Sequence, residues 1–207
     1  LINPLVPANL EIADHFAGAI ILSMNEVCIG LLLAMTVRML FFAVELAGHL
    51  ISYEIGLMAS SSVNPLLGSS DSTITTLLYY FALLLFFITG MHYEVLKAFI
   101  LSFDILPIGS FFLSANPTFE FVNEVSNVFV LGTLIAAPFI AMNFLINISF
   151  AVLGKAVQKM NVFMTSFAIR ILSGLVLLVS SILLITSYIF DASSRSVEVM
   201  LDIIQPG

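Results

Sequence analysis

The chain has 207 residues, of which 60% are hydrophobic and only 9% charged, and its mean hydropathy is +1.15. A soluble domain carries about a quarter charged residues, so an ordinary soluble globule is excluded. What remains is an integral membrane protein, or a subunit covered on most sides by other apolar subunits. A net charge of −7 and a pI of about 4.7 argue against a nucleic-acid partner.

Residues 1–9 hold Pro4 and Pro7 and read as an extended entry segment. The first residue is Leu1 rather than methionine, so the chain is expected to be a fragment, from which an earlier hydrophobic segment or signal could be missing. No proline occurs in residues 10–59, which predicts one long or kinked helix with an apolar centre over 27–44, interrupted only by Thr36 and Arg38. Glycines at 30, 48 and 56 allow neighbouring backbones to approach, or kink the helix. The single cysteine, Cys28, permits no internal disulfide and reads as a small packed hydrophobe.

Arg38, Glu45 and His49 are spaced seven and four residues apart and share a helix face. Arg38 and Glu45 stand two turns apart, about 10 Å, too far for a bond within the helix. Ionisable groups at membrane depth face a bundle interior or a watery cavity. All three are therefore expected to be buried polar or interface residues, each with a partner on another element.

Residues 60–71 break the pattern. Ser60-Ser61-Ser62-Val63-Asn64-Pro65-Leu66-Leu67-Gly68 and the serines that follow cannot continue a helix, because Pro65 lacks a donor and pushes Asn64 out of the helical region. One reading is a loose turn between two membrane helices. The other is a loop folded into a bundle, where slim serines line a passage and Val63, Leu66 and Leu67 seal it.

Residues 72–103 read as a second long helix capped by Asp71 or Ser72, with Glu94 and Lys97 placed to pair locally. Residues 104–109 end it, and a linker runs through Asn116-Pro117. A third helix over 118–154 is long enough to span a bilayer, with Pro138 expected to kink rather than end it. Asn143 and Asn147 lie one turn apart, either to bond an adjacent helix or to satisfy backbone near the kink.

The segment Lys155-Ala156-Val157-Gln158-Lys159-Met160-Asn161 makes a basic turn. A last helix over 162–190 carries Arg170, and the amphipathic tail 191–207 is expected to dock on the surface of an assembly. Lysines 155 and 159 place this turn in the cytoplasm and the Pro107 loop opposite. The fold class expected is all-α, with long kinked hydrophobic helices in hairpins.

No nucleotide-binding P-loop, serine-hydrolase elbow or zinc-protease motif occurs, and the three histidines are isolated from one another. Neither catalytic residues nor a metal or cofactor site are expected.

Several motifs, in order, carry a resemblance. They are Ala47-Gly48-His49-Leu50-Ile51, Gly56-Leu57-Met58-Ala59, Val63-Asn64-Pro65, Leu83-Leu84-Leu85-Phe86, Gly90-Met91-His92 and Ser102-Phe103-Asp104-Ile105-Leu106-Pro107-Ile108-Gly109. Gln158-Lys159-Met160-Asn161-Val162-Phe163 completes the series. Together they resemble the FliR family of flagellar export-gate proteins and its type III secretion relatives (the SctT proteins). The chain departs from the family pattern at Val157, where proline is usual, at Lys159, which is extra, at Asn64 for aspartate, and at Met91, which separates Gly90 from His92.

The resemblance implies a gate subunit of the bacterial inner membrane and flagellar basal body. It would join FliP- and FliQ-type subunits in a slanted helical assembly through which unfolded polypeptide passes. It also implies a FliP-like half over 1–118 and a FliQ-like hairpin with tail over 119–207. Residues Ser60 and Ser61 through Gly68 would belong to the plug, and Lys155, Gln158, Lys159, Met160 and Asn161 to the cytoplasmic entrance near a FlhB-type switch protein. The alternative is a self-sufficient transporter or channel using Arg38, Glu45, His49 and Glu94 as a relay.

Overall fold

In the computed structural model residues 16–59, 72–105, 115–156 and 161–204 are described, and among them every regular element is helical. Helix α1 (Phe16–Ile55) occupies the first predicted run. It stops where Gly56 turns to φ +89°, a left-handed conformation that costs glycine little, and the Gly56 N–H donates to the Tyr53 carbonyl at 3.0 Å. A short 3-10 turn, Leu57–Ala59, follows.

The second predicted helix is in fact two. Helix α2 (Thr73–Ile88) and helix α3 (Met91–Ile105) meet at a 69° bend. Gly90 makes the break, with φ +76°, its N–H donating to the Phe87 carbonyl at 3.2 Å and its carbonyl accepting from the Tyr93 N–H at 2.9 Å. Ser72 caps α2: its hydroxyl accepts from the Ile74 N–H at 3.3 Å and its carbonyl from the Thr76 N–H at 3.0 Å. The same hydroxyl bonds the Ser52 hydroxyl, which ties the start of α2 to α1.

Helix α4 (Ala115–Ala156) runs through Pro138 without ending. Helix α5 (Val162–Ser180) starts at Asn161, whose Oδ1 accepts from the Met164 N–H at 3.3 Å. Helix α6 (Ile182–Ile204) continues after a 58° bend at Ser181. The last predicted helix therefore also divides. Ser181 sits at φ −89°, ψ 0°, which any residue can adopt, and hydrogen bonds are kept on both sides of it: its N–H reaches the Leu177 carbonyl and its carbonyl takes the Ile185 N–H, each at 2.9 Å.

The chain divides into two compact units. The first comprises Leu1–Leu40, Phe86–Asn127 and Asp191–Gly207. Its core joins Ile29 and Leu33 of α1, Ala98 of α3, and Val199, Met200, Ile203 and Ile204 of α6. Burying each large side chain contributes about 1.5–3 kcal/mol. The tail expected to dock on an assembly is thus part of a core within the chain. Glu124 of α4, buried, is held there too: Asn127 Nδ2 donates to its Oε2 at 3.0 Å, and Arg195 Nε of α6 approaches the same oxygen at 3.5 Å.

The second unit comprises Phe41–Leu85 and Val128–Phe190. In it, α1 is met by three helices at three glycine contacts. A Cβ on Gly48 would stand 2.5 Å from Thr75 Cα of α2, one on Gly132 of α4 2.8 Å from Leu46 Cδ2, and one on Gly174 of α5 2.4 Å from Ile55 Cγ1. Small residues at such crossings replace hydrophobic drive by close van der Waals contact.

Large apolar side chains stand exposed along much of the chain, Val176, Val179 and Leu183 among the most open. A water-soluble monomer would not leave so much apolar surface uncovered. Two stretches, Leu22–Ile55 and Val122–Ala156, are long and apolar enough to cross a membrane, and there are up to four spans if each bent pair counts as one.

Candidate functional site

Two polar features interrupt the apolar second unit. The first is a cleft of about 320 Å³ between α1 and α2, lined by Glu45, His49, Thr75, Thr76, Tyr79 and Tyr80. Glu45 and His49 lie one turn apart on α1, both half-buried. Thr75 is buried because Gly48 lets its backbone come close, and its Oγ1 has no hydrogen-bond partner among the described residues. Tyr79 packs against Phe41 with ring centroids 5.6 Å apart and against Tyr80 at 5.9 Å. The lining therefore offers a carboxylate, an imidazole, hydroxyls and aromatic faces, and no lysine or arginine.

The second feature is a polar ladder across three helices. Asn143 Nδ2 of α4 donates to Glu54 Oε2 of α1. Asn147 Nδ2 donates to Asn143 Oδ1 at 3.3 Å, and Arg170 Nη2 of α5 donates to Asn147 Oδ1. A negative and a positive group are thus joined through two amides, each passing a donor toward Glu54 and an acceptor toward Arg170. Arg170 Nε is buried and has no partner among the described residues. Of the two roles open to the asparagines, bonding to adjacent helices is the one the structure assigns.

Among the described residues no group of three or more His, Cys, Asp or Glu side chains could hold a metal ion.

Comparison with known proteins gives the chain its family. The model of bacterial export proteins, family 1, matches residues 2–196. The chain belongs to that family. It is 26% identical over 203 residues to the flagellar biosynthetic protein FliR of Escherichia coli (strain K12), covering 98% of the chain and 77% of that protein. It is 22% identical over 201 residues to the FliR of Bacillus subtilis (strain 168), covering 96% and 76%. The Yop proteins translocation protein T of Yersinia pestis is 27% identical over 184 residues, covering 88% and 68%.

In this export protein the residues singled out from sequence are scattered. Glu45 and His49 share the cleft, whereas Arg38 is exposed on α1; Arg38 and Glu45 each have a partner within the chain. Glu94 is exposed and spends its charge on Lys97 at 2.7 Å. Lys155 is exposed in the last turn of α4, and Asn161 caps α5. Gln158, Lys159 and Met160 lie outside the described residues, as does the whole of 60–68. Cys28, expected to pack as a small hydrophobe, is exposed on α1.

Sequence reasoning missed Glu54 and Glu124. The signal was available for Glu54: it is a carboxylate in an apolar helix, the same argument that picked out Glu45. Glu124 lies where acidic residues near a helix start are commonplace, and nothing local marks it.

Proposed function

We propose that this chain is a core subunit of a type III protein export gate. It assembles with FliP- and FliQ-type subunits into the channel that passes unfolded polypeptide across the bacterial inner membrane, at the flagellar basal body, beside a FlhB-type switch protein. Its role is structural rather than enzymatic. The family match along residues 2–196, with relatives named for both flagellar biosynthesis and Yop translocation, carries this reading. The exposed apolar faces support it, since they suit a chain wrapped by other subunits and lipid. The mass and stoichiometry of the native complex test it. Obligate co-purification with two other small membrane proteins is expected, and a monodisperse single protein competent for transport overturns it.

Two local roles follow from the same reading. Residues 60–68 plug the conduit at rest, so deleting 61–67 leaves assembly intact but makes the resting membrane leaky to ions. An intact assembly without added conductance leaves that segment a tether. Lys155, Gln158, Lys159, Met160 and Asn161 lie at the cytoplasmic entrance, so a cysteine placed at 155 labels from the cytoplasm. Labelling from the periplasm rejects both the site and the topology.

A further inference from the structure

We infer that the α1–α2 cleft is a socket for one cationic side chain, a guanidinium, of a neighbouring chain in the assembly. This rests on the export-subunit reading above. The cleft's 320 Å³ equals roughly ten waters at about 30 Å³ each, room for the end of one long side chain. Its lining selects the charge. Glu45 supplies a carboxylate, and a carboxylate has about four acceptor sites, so the partner it already has within the chain leaves capacity for another. Tyr79 and Tyr80 supply ring faces, on which a planar guanidinium stacks better than an ammonium does. Thr75 adds a buried hydroxyl oxygen in the cleft wall, without a partner among the described residues. Such an oxygen is costly, and it gains a donor where the wall opens as a head group enters.

The surroundings select the source. Phe42, Leu77, Tyr80 and Leu84 stand exposed on the same two helices, so the cleft is a polar spot on apolar surface. An arginine reaching it from a neighbouring helix covers that surface with its alkyl stem while its head enters the cleft. The chain also carries 13 acidic residues against 6 basic ones, a deficit of cations that partner chains must supply within a charge-poor assembly.

The test uses the complex as purified. A photo-crosslinking residue replaces Tyr80, which is 63% exposed at the cleft, and the crosslinked peptide is mapped by mass spectrometry. A peptide of another chain with an arginine at the crosslink is expected. Glu45→Arg should then lower recovery of the complex about tenfold or more, and recovery should return when the mapped arginine is changed to glutamate. Crosslinks to lipid alone, or to this chain alone, in an intact complex overturn the socket and leave the export reading standing. Failure of the charge exchange to restore recovery overturns it as well. If the unmodified chain forms no complex with other membrane proteins, the export reading itself fails.

Discussion

Glu45 and Glu54 lie nine positions apart on one helix, and their surroundings differ. Glu54 is answered inside the chain, by a ladder that ends on Arg170. Glu45, which also has a partner within the chain, lines a cleft that opens outward and whose buried Thr75 hydroxyl has no partner among the described residues. In an apolar setting both cost free energy until charge and hydrogen bonds are met. A ladder closed within the chain holds three helices in place in any state of assembly. An open cleft stores unmet hydrogen bonding that a partner can satisfy, and that gives an interface specificity.

The largest effect is expected at the α1–α2 crossing beside the cleft. Gly48 lies between Glu45 and Glu54, and a side chain there meets the Thr75 backbone at 2.5 Å, which no rotamer can avoid. Gly48→Leu is expected to cost about 3 kcal/mol or more by forcing α1 and α2 apart. Gly30 is the control: nothing lies within 4 Å of the Cβ it would carry, so Gly30→Ala should stabilise by about 0.5–1 kcal/mol. Thermal unfolding in mild detergent measures both. Equal behaviour of the two variants would mean that the close crossing is not what holds the second unit.

A smaller effect separates the ladder from the cleft. Arg170→Met takes the donor from Asn147 Oδ1 and the positive charge from the ladder, and Glu54→Gln removes its negative charge. Each single change is expected to cost about 0.5–1.5 kcal/mol, as for partly exposed hydrogen bonds. The double variant should cost less than the sum, because the second change removes the charge the first left without its counterpart. Strict additivity would show that the two asparagines do not couple the charges.

Much of this was legible in the sequence and some was not, for physical reasons. The all-α fold follows from long proline-poor apolar runs, and the capping at Ser72 from ordinary helix-start chemistry. The breaks were not legible. Pro138, the strongest helix breaker in an apolar run, sits inside an unbroken α4, while the chain bends at Gly90 and Ser181. A lone glycine in an apolar run is as often a packing residue as a break, and Ser181 breaks its helix in a conformation open to any residue. The ladder was half legible: the spacing of Asn143 and Asn147 exposes a shared face, but only the fold brings Glu54 and Arg170 to its two ends.

The smallest expected effect is the most telling, because its sign changes with context. Thr75→Val keeps the shape of the side chain and removes the buried hydroxyl that has no partner among the described residues. In the isolated protein that oxygen contributes only its desolvation cost, so the variant should be neutral or more stable by up to about 1 kcal/mol. In the assembled complex the same hydroxyl accepts from the incoming guanidinium. Its loss should weaken retention of the partner by a few-fold, since a tenfold change is only about 1.4 kcal/mol. Changes in the ladder, by contrast, should destabilise in both settings. Unfolding of the purified chain and dissociation of the complex, measured on the same variant, read the two signs. Destabilisation of the isolated chain by Thr75→Val would mean that the hydroxyl is satisfied without a partner, and the contrast between a closed ladder and an open cleft would then be lost.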